Sequence, residues 1–222
     1  MEIVVVDDPA ALATRAADIV EEEIGASSST MLGLAGGSTP IPTHDELASR
    51  GLDWSGVTAW LPDERWTAPD SEDANQRMAR ETLTDRCGIR LVAPNTTTDP
   101  TSAANAYEEL VVPLLTADAR SLVMLGMGSD GHTASLFPGT DALDIESASY
   151  VANYVPAMDT WRLTATFELI ATADRVLFLV AGSAKAARLA EIQSGLALPA
   201  GRVRAKEGVM WLVDADAAAK LA

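Results

Sequence analysis

Hydrophobic and polar positions along the chain alternate between two rhythms. Short runs rich in Val, Ile and Leu, too brief for helices, are each followed by an alanine-rich stretch whose apolar positions recur three and four apart. Glu2–Val6 reads as a strand, and residues 8–25 read as the helix after it, with Pro9 in a first turn where a missing N–H costs nothing. Residues 31–35 are a second strand leading at once into Gly36-Gly37-Ser38-Thr39-Pro40, and residues 40–50 a second helix. Residues 57–61 form a third strand ending at Pro62-Asp63-Glu64-Arg65. A helix over 71–86 follows, with Ser71 as its N-cap and Glu72 and Asp73 in its first turn.

Residues 91–100, with three threonines in a row, read as a surface connection, and 101–117 as a helix that Pro113 kinks or ends early. The buried run 122–125 flows into Gly126-Met127-Gly128. Tyr150–Val155 and 176–180 are further strands, 182–194 is a helix, and 209–213 is a last strand before a short C-terminal helix. Strands alternating with helices imply an α/β fold with a mainly parallel sheet covered on both faces. With no repeat, linker or low-complexity tract, residues 1–222 are expected to form one domain.

Three motifs fall where a strand is expected to finish: Gly36–Pro40, Asp63–Arg65 and Gly126–His132. Open α/β sheets bind ligands outside the carboxyl ends of their strands, which places a site before any chemistry is invoked.

Composition narrows the chemistry. With 32 acidic against 16 basic residues the formal charge is −16, so nucleic acid and anionic lipid are not expected partners. An anionic substrate would need its few cations gathered locally. A single cysteine, Cys87, forms no internal disulfide and fits a reducing cytoplasm. No apolar stretch approaches the roughly 20 residues of a membrane helix, and the N-terminus lacks the basic-then-apolar order of a secretory signal.

In the Gly36–Pro40 turn the glycines, Gly36 and Gly37, let backbone approach a ligand, Ser38 and Thr39 add hydroxyls, and Pro40 suits the start of a helix whose free N–H groups attract phosphate. The same residues would serve an ordinary strand-to-helix turn. In Gly126-Met127-Gly128-Ser129-Asp130-Gly131-His132-Thr133, three glycines in six positions wind a tight loop carrying one of only two histidines. Imidazole moves protons near neutral pH, and Asp130 could fix its tautomer. His44, in a polar, surface-like helical stretch, reads as structural.

Arg65 could grip phosphate with a fork of donors or simply pair with Asp63 and Glu64. Lys185, one of three lysines, stands at a strand–helix junction three residues after Gly182, and Arg162 is a further cation candidate. No metal-ligand spacing, dinucleotide fingerprint, P-loop or nucleophile elbow is present, so no metal or cofactor is expected.

At these residues the chain resembles the 6-phosphogluconolactonases. Leu34-Ala35-Gly36-Gly37-Ser38-Thr39-Pro40 and Pro62-Asp63-Glu64-Arg65-Trp66 are similar to that family's first two blocks. The run from Gly126 through His132 to Phe137-Pro138-Gly139 is similar to its signature, and Arg162-Leu163-Thr164 and Gly182-Ser183-Ala184-Lys185 to later blocks. The resemblance implies a three-layer α/β/α fold shared with glucosamine-6-phosphate deaminases and ribose-5-phosphate isomerases, and metal-independent hydrolysis of 6-phosphogluconolactone in the pentose phosphate pathway.

It carries the catalytic histidine onto His132, and phosphate binding onto the Gly36–Thr39 turn, Arg65 and Lys185. Asn75 matches a pocket-side asparagine, although Ala74 stands where relatives often carry serine. The expected partner is a small phosphorylated sugar lactone, with a monomer favoured. Backbone N–H groups of the glycine-rich loop are expected to receive the developing oxyanion. Two rival readings are a deaminase-type isomerase and a sugar-phosphate-binding protein without turnover. Deaminases typically follow the histidine with a run containing glutamate, where this chain has Thr133-Ala134-Ser135-Leu136-Phe137-Pro138.

Overall fold

The computed structural model describes residues 1–221. In chain order the elements are β1 (Glu2–Val6), α1 (Pro9–Gly25), β2 (Thr30–Gly33), α2 (Ile41–Ser49), β3 (Val57–Trp60), β4 (Asp63–Arg65), α3 (Asn75–Ala79), a π-helical turn (Arg80–Thr84), α4 (Asp85–Cys87), β5 (Arg90–Val92) and α5 (Pro100–Leu115). Then come β6 (Arg120–Gly126), β7 (Tyr150–Val155), β8 (Thr160–Ala165), α6 (Phe167–Ile170), β9 (Arg175–Val180), α7 (Ala186–Gln193), α8 (Pro199–Arg202), β10 (Val209–Asp214) and α9 (Ala215–Ala218).

Seven strands form a parallel sheet in the order β1-β10-β9-β6-β2-β3-β5. Side chains of successive strand residues go to opposite faces, and both faces are covered. On β6, Val123 and Leu125 join a core roofed by α5, α6 and α7, while Leu122 and Met124 join one roofed by α1, α2 and the helical stretch 75–87. Phe178 on β9 and Trp211 on β10 are in register and stack at 3.9 Å with planes 5° apart. Each fully buried leucine of this kind contributes about 1.5–3 kcal/mol.

The ends of the elements have local causes. Asp8 caps α1, accepting the N–H of Ala11 at 2.8 Å, and Asp99 caps α5, accepting that of Ser102 at 2.9 Å. Pro113 falls in the last turn of α5, which ends two residues later.

Four readings need correction. The helix expected from Ser71 begins at Asn75, because the Ser71 hydroxyl accepts the N–H of Asp73 within a turn instead of capping a helix. The connection expected over 91–100 gives its first residues to β5. Pro40 lies one residue ahead of α2. Asp63-Glu64-Arg65 is itself a strand, β4, joining β8 and β7 in an antiparallel sheet that the periodicity did not reveal.

The strands all run the same way, but the order in which they are added reverses between β2 and β6. From β2 the order proceeds to β3 and β5, and from β6 to β9 and β10 on the other side. Such a switch point leaves a crevice at the strands' carboxyl ends. The glycine-rich turns after β2 and β6 therefore face each other across it.

Candidate active site

A cavity of about 410 Å³ occupies that crevice. The turn after β2 contributes Gly36, Gly37, Ser38, Thr39 and Pro40, and the loop after β6 contributes Gly128, Ser129, His132 and Phe137. Asp63 and Arg65 enter from β4, Asn75 from α3, Arg162 from β8, and Lys185 from the junction between β9 and α7. Every site residue expected from the sequence lines this cavity except Asp130, which sits behind His132.

The loop after β6 is wound around His132. Gly128 donates its N–H to the His132 carbonyl at 2.8 Å, and Gly131 donates to the Gly128 carbonyl at 3.1 Å. Glycine is required at 128 because a Cβ there would lie 2.1 Å from His132 Nδ1. Asp130 Oδ1 accepts both the His132 backbone N–H at 3.1 Å and ring Nδ1 at 2.6 Å. The ring packs against Phe137, centroids 4.0 Å apart, with 28% of the side chain exposed.

A carboxylate at Nδ1 selects the tautomer protonated there and leaves Nε2 as the basic nitrogen. Partial burial favours the neutral acid at Asp130, but the backbone and ring of His132 outweigh it and hold Asp130 below the usual carboxylate range. One expectation is narrowed here. The N–H groups of Gly128, Gly131 and His132 are already engaged within the loop, so they are not available to an oxyanion.

Beneath the ring lies a polar floor. Ala134, at φ +47°, occupies the left-handed region that L-residues seldom adopt, in the tight turn closed by Leu136 N–H to Thr133 O. The residue after it, Ser135, donates its hydroxyl to Asp63 Oδ2 at 2.7 Å. Asn75 Nδ2 donates to the Asp63 carbonyl at 3.0 Å. Burial pushes the Asp63 carboxyl up, opposed by Ser135, Arg65, Arg162 and His132. Its neighbour Glu64 points away from the cavity, is fully buried, and is raised by burial to about 7 against three backbone N–H bonds that favour the anion.

Cations gather as the acidic surface requires. Arg65 and Arg162 face each other across the β4–β8 ladder. Arg65 is steadied by a bond to the Asp73 carbonyl at 3.0 Å. Burial, and then the nearby Arg65 charge, pull Arg162 below the ordinary arginine value, and its Nε has no acceptor in the described protein. Lys185 follows a turn in which Gly182 has φ +89°, and Asp214 at the end of β10 anchors that turn, both oxygens 3.0 Å from the Gly182 nitrogen. α2 starts beside Ser38 and Thr39 without a side-chain cap, its Ile41 N–H donating to the Ser38 carbonyl at 3.3 Å.

His44 lies elsewhere and is structural as expected, but it is buried and not at the surface. Its Nδ1 donates to Thr82 Oγ1 at 2.8 Å, since that hydroxyl already donates to the Met78 carbonyl. Burial lowers its pKa to about 4, with Asp45 opposing.

Sequence reasoning assigned no role to Ser135, Glu64 or Asp214. Ser135 and Glu64 lie inside the quoted motifs, so proximity was their only signal. Asp214 ends a parallel strand, which was the usable hint.

Residues 7–211 match the family model described as glucosamine-6-phosphate isomerases/6-phosphogluconolactonase. The 6-phosphogluconolactonase of Nostoc sp. is 32% identical over 98% of this chain and 97% of its own. The crystal structure of 6-phosphogluconolactonase from Thermotoga maritima superposes with a TM-score of 0.86 at 29% identity, covering 96% of this chain and 99% of that one. A monomeric glucosamine-6-phosphate deaminase of the NagB superfamily shares the fold, with a TM-score of 0.84 at 24% identity over 99% of this chain and 100% of that one. Sheet order, motif positions and these likenesses agree: the chain belongs to the glucosamine-6-phosphate isomerase/6-phosphogluconolactonase family.

Proposed function

We propose that this chain is a 6-phosphogluconolactonase, hydrolysing 6-phospho-D-glucono-1,5-lactone to 6-phospho-D-gluconate as one catalytic domain in the cytoplasmic oxidative pentose phosphate pathway. The observation that carries the reading is an aspartate-paired imidazole sharing one cavity with two arginines, a lysine and an uncapped helix start. Among the described residues no helix is long and apolar enough to cross a membrane.

The chemistry asks for little. His132 Nε2 takes a proton from water as the oxygen attacks C1, and the ring then returns it to the leaving ring oxygen, so one group serves as base and then acid. Asp130 holds the ring in the required tautomer and stabilises the imidazolium that forms. Arg65, Arg162, Lys185 and the Gly36–Thr39 turn hold the phosphate, fixing the lactone carbon relative to His132. With the glycine amides engaged, the developing oxyanion must be met by other donors at the cavity wall, where Ser129 offers a loop N–H that has no acceptor among the described residues.

The test is acid release from freshly generated 6-phosphogluconolactone, comparing wild type with His132→Ala. The expected loss in kcat is about 10²–10⁴, with binding of 6-phosphogluconate retained. A near-normal rate in the variant would remove His132 from this role. Ammonia release from glucosamine 6-phosphate without lactone turnover would assign the sister activity instead.

A further inference from the structure

Glu64 does not line the cavity, yet two residues of its wall, Arg65 and Asn75, are tied to this one carboxylate. The side chain is fully buried. Oε1 accepts the backbone N–H groups of Arg65 and Asn75, both at 2.7 Å, and Oε2 accepts that of Gln76 at 2.8 Å. The need for this arrangement follows from local sequence. α3 starts after Ala74, whose methyl group cannot cap a helix. The N–H groups of its first turn are buried and require an acceptor, and Glu64 supplies one from a strand eleven residues earlier.

What Glu64 holds then reaches the cavity in two directions. Asn75 turns its side chain to Asp63, and a Cβ on Gly36 would lie only 2.0 Å from Asn75 Oδ1, so this amide fits directly against the first glycine of the turn after β2. Arg65 is held by its own N–H on Glu64 and by its guanidinium on the Asp73 carbonyl, just ahead of the same helix.

We infer that Glu64 is a positioning residue for anion binding: by clamping β4 to the start of α3 it sets where Arg65 and Asn75 stand relative to the Gly36–Thr39 turn. The inference rests on reading Arg65 and that turn as the substrate's phosphate site. A carboxylate that served folding alone would govern how much enzyme is active, whereas a positioning carboxylate governs how well the active enzyme binds.

Substitutions can separate the two roles. In Glu64→Gln the volume is kept, but an amide N–H must confront at least one backbone N–H that had an acceptor. Glu64→Asp keeps the charge and withdraws it by one methylene. For both variants and for Arg65→Ala, kcat per mole of folded enzyme, KM for the lactone and the inhibition constant of inorganic phosphate are measured, with circular dichroism giving the folded fraction.

The Glu64 variants are expected to raise KM and the phosphate constant about tenfold while kcat stays within about threefold, and Arg65→Ala to shift both constants further in the same direction. Lowered activity with KM and the phosphate constant unchanged would assign Glu64 to folding and overturn the inference, as would failure of both Glu64 variants to fold. If Arg65→Ala leaves both constants unaltered, the phosphate-site reading falls first and takes the inference with it.

Discussion

Arg65 and Arg162 occupy directly opposed positions in the β4–β8 ladder, two like charges where cross-strand neighbours are closest. In the free protein that pairing is unfavourable, and burial leaves Arg162 Nε without an acceptor. An arriving dianion would relieve both conditions. Arg162→Met should therefore raise the Tm of the free protein by a few degrees, on the order of 1 kcal/mol, while raising KM about tenfold or more. Thermal melts with and without inorganic phosphate, together with steady-state kinetics, check this. A lower Tm with KM unchanged would show that Arg162 is there for the fold.

Asp130→Asn tests the imidazole's partner. The amide can present N–H as well as oxygen to Nδ1, so the tautomer is no longer enforced and the imidazolium loses its counter-charge. The expected result is a fall in kcat of about 10²-fold or more with little change in KM, since no phosphate contact is touched. Equal kcat in variant and wild type would reduce Asp130 to a loop-shaping residue.

Gly128→Ala is the smallest change that should disable the site. The added methyl would sit 2.1 Å from His132 Nδ1 and 2.7 Å from Asp130 Oδ1, so the ring or the loop must move. Displacement of a general base by about 1 Å costs on the order of 10² in rate. Stability should change far less than turnover, which melts and kinetics on the same preparation would compare.

Much of this was readable in advance, and the failures have specific causes. The parallel strands announce themselves because both faces are buried, giving continuous apolar runs such as 122–125. β4 carries three charged residues, the opposite of a strand signal. It is a strand because Asp63 and Glu64 find their donors inside the fold, which no local pattern reports. β8 was read only as a cation followed by Leu163 and Thr164, although Thr160–Ala165 alternates polar and apolar residues as a half-buried strand does. His44 looked exposed beside Asp45 and Glu46, yet Thr43, His44 and Leu47 share the buried face of α2. The site's residues were legible because glycines and scarce cations mark it. Their mutual spacing was not, because it depends on the β2–β6 switch point.

Acid stability should bear the mark of His44. Its folded pKa, about 4, lies below the value of about 6.5 expected when unfolded, so between these limits the unfolded chain binds more protons. The stabilising effect is complete above pH 6.5 and is lost as pH falls toward 4, by about 3 kcal/mol at most. Urea midpoints followed from pH 7 to 4 should therefore fall more steeply for wild type than for His44→Gln. Parallel curves would dismiss this group as a source of acid sensitivity.

At the far end of the sheet, Glu23 joins α1 to the starts of β6 and β9 through Arg120 Nε at 2.6 Å and Arg175 Nη1 at 3.1 Å, and Glu207 binds both arginines from the other side. Glu23→Ala should destabilise by about 2 kcal/mol, less than a fully enclosed pair, because the guanidinium groups stay partly exposed. With the cavity at the opposite ends of these strands, kcat and KM should hold at temperatures where the variant is folded. A change in KM would reveal a coupling along the strands.

The place of β10 has a bearing on biosynthesis. It is the last strand in sequence, yet it lies between β1 and β9, and Asp214 at its tip secures the turn that carries Lys185. A growing chain therefore holds β1 apart from the five-strand block β9-β6-β2-β3-β5 until this strand leaves the ribosome. Until then the turn that carries Lys185 lacks its Asp214 anchor, and the edges of β1 and β9 stay open to pairing with neighbours on a polysome.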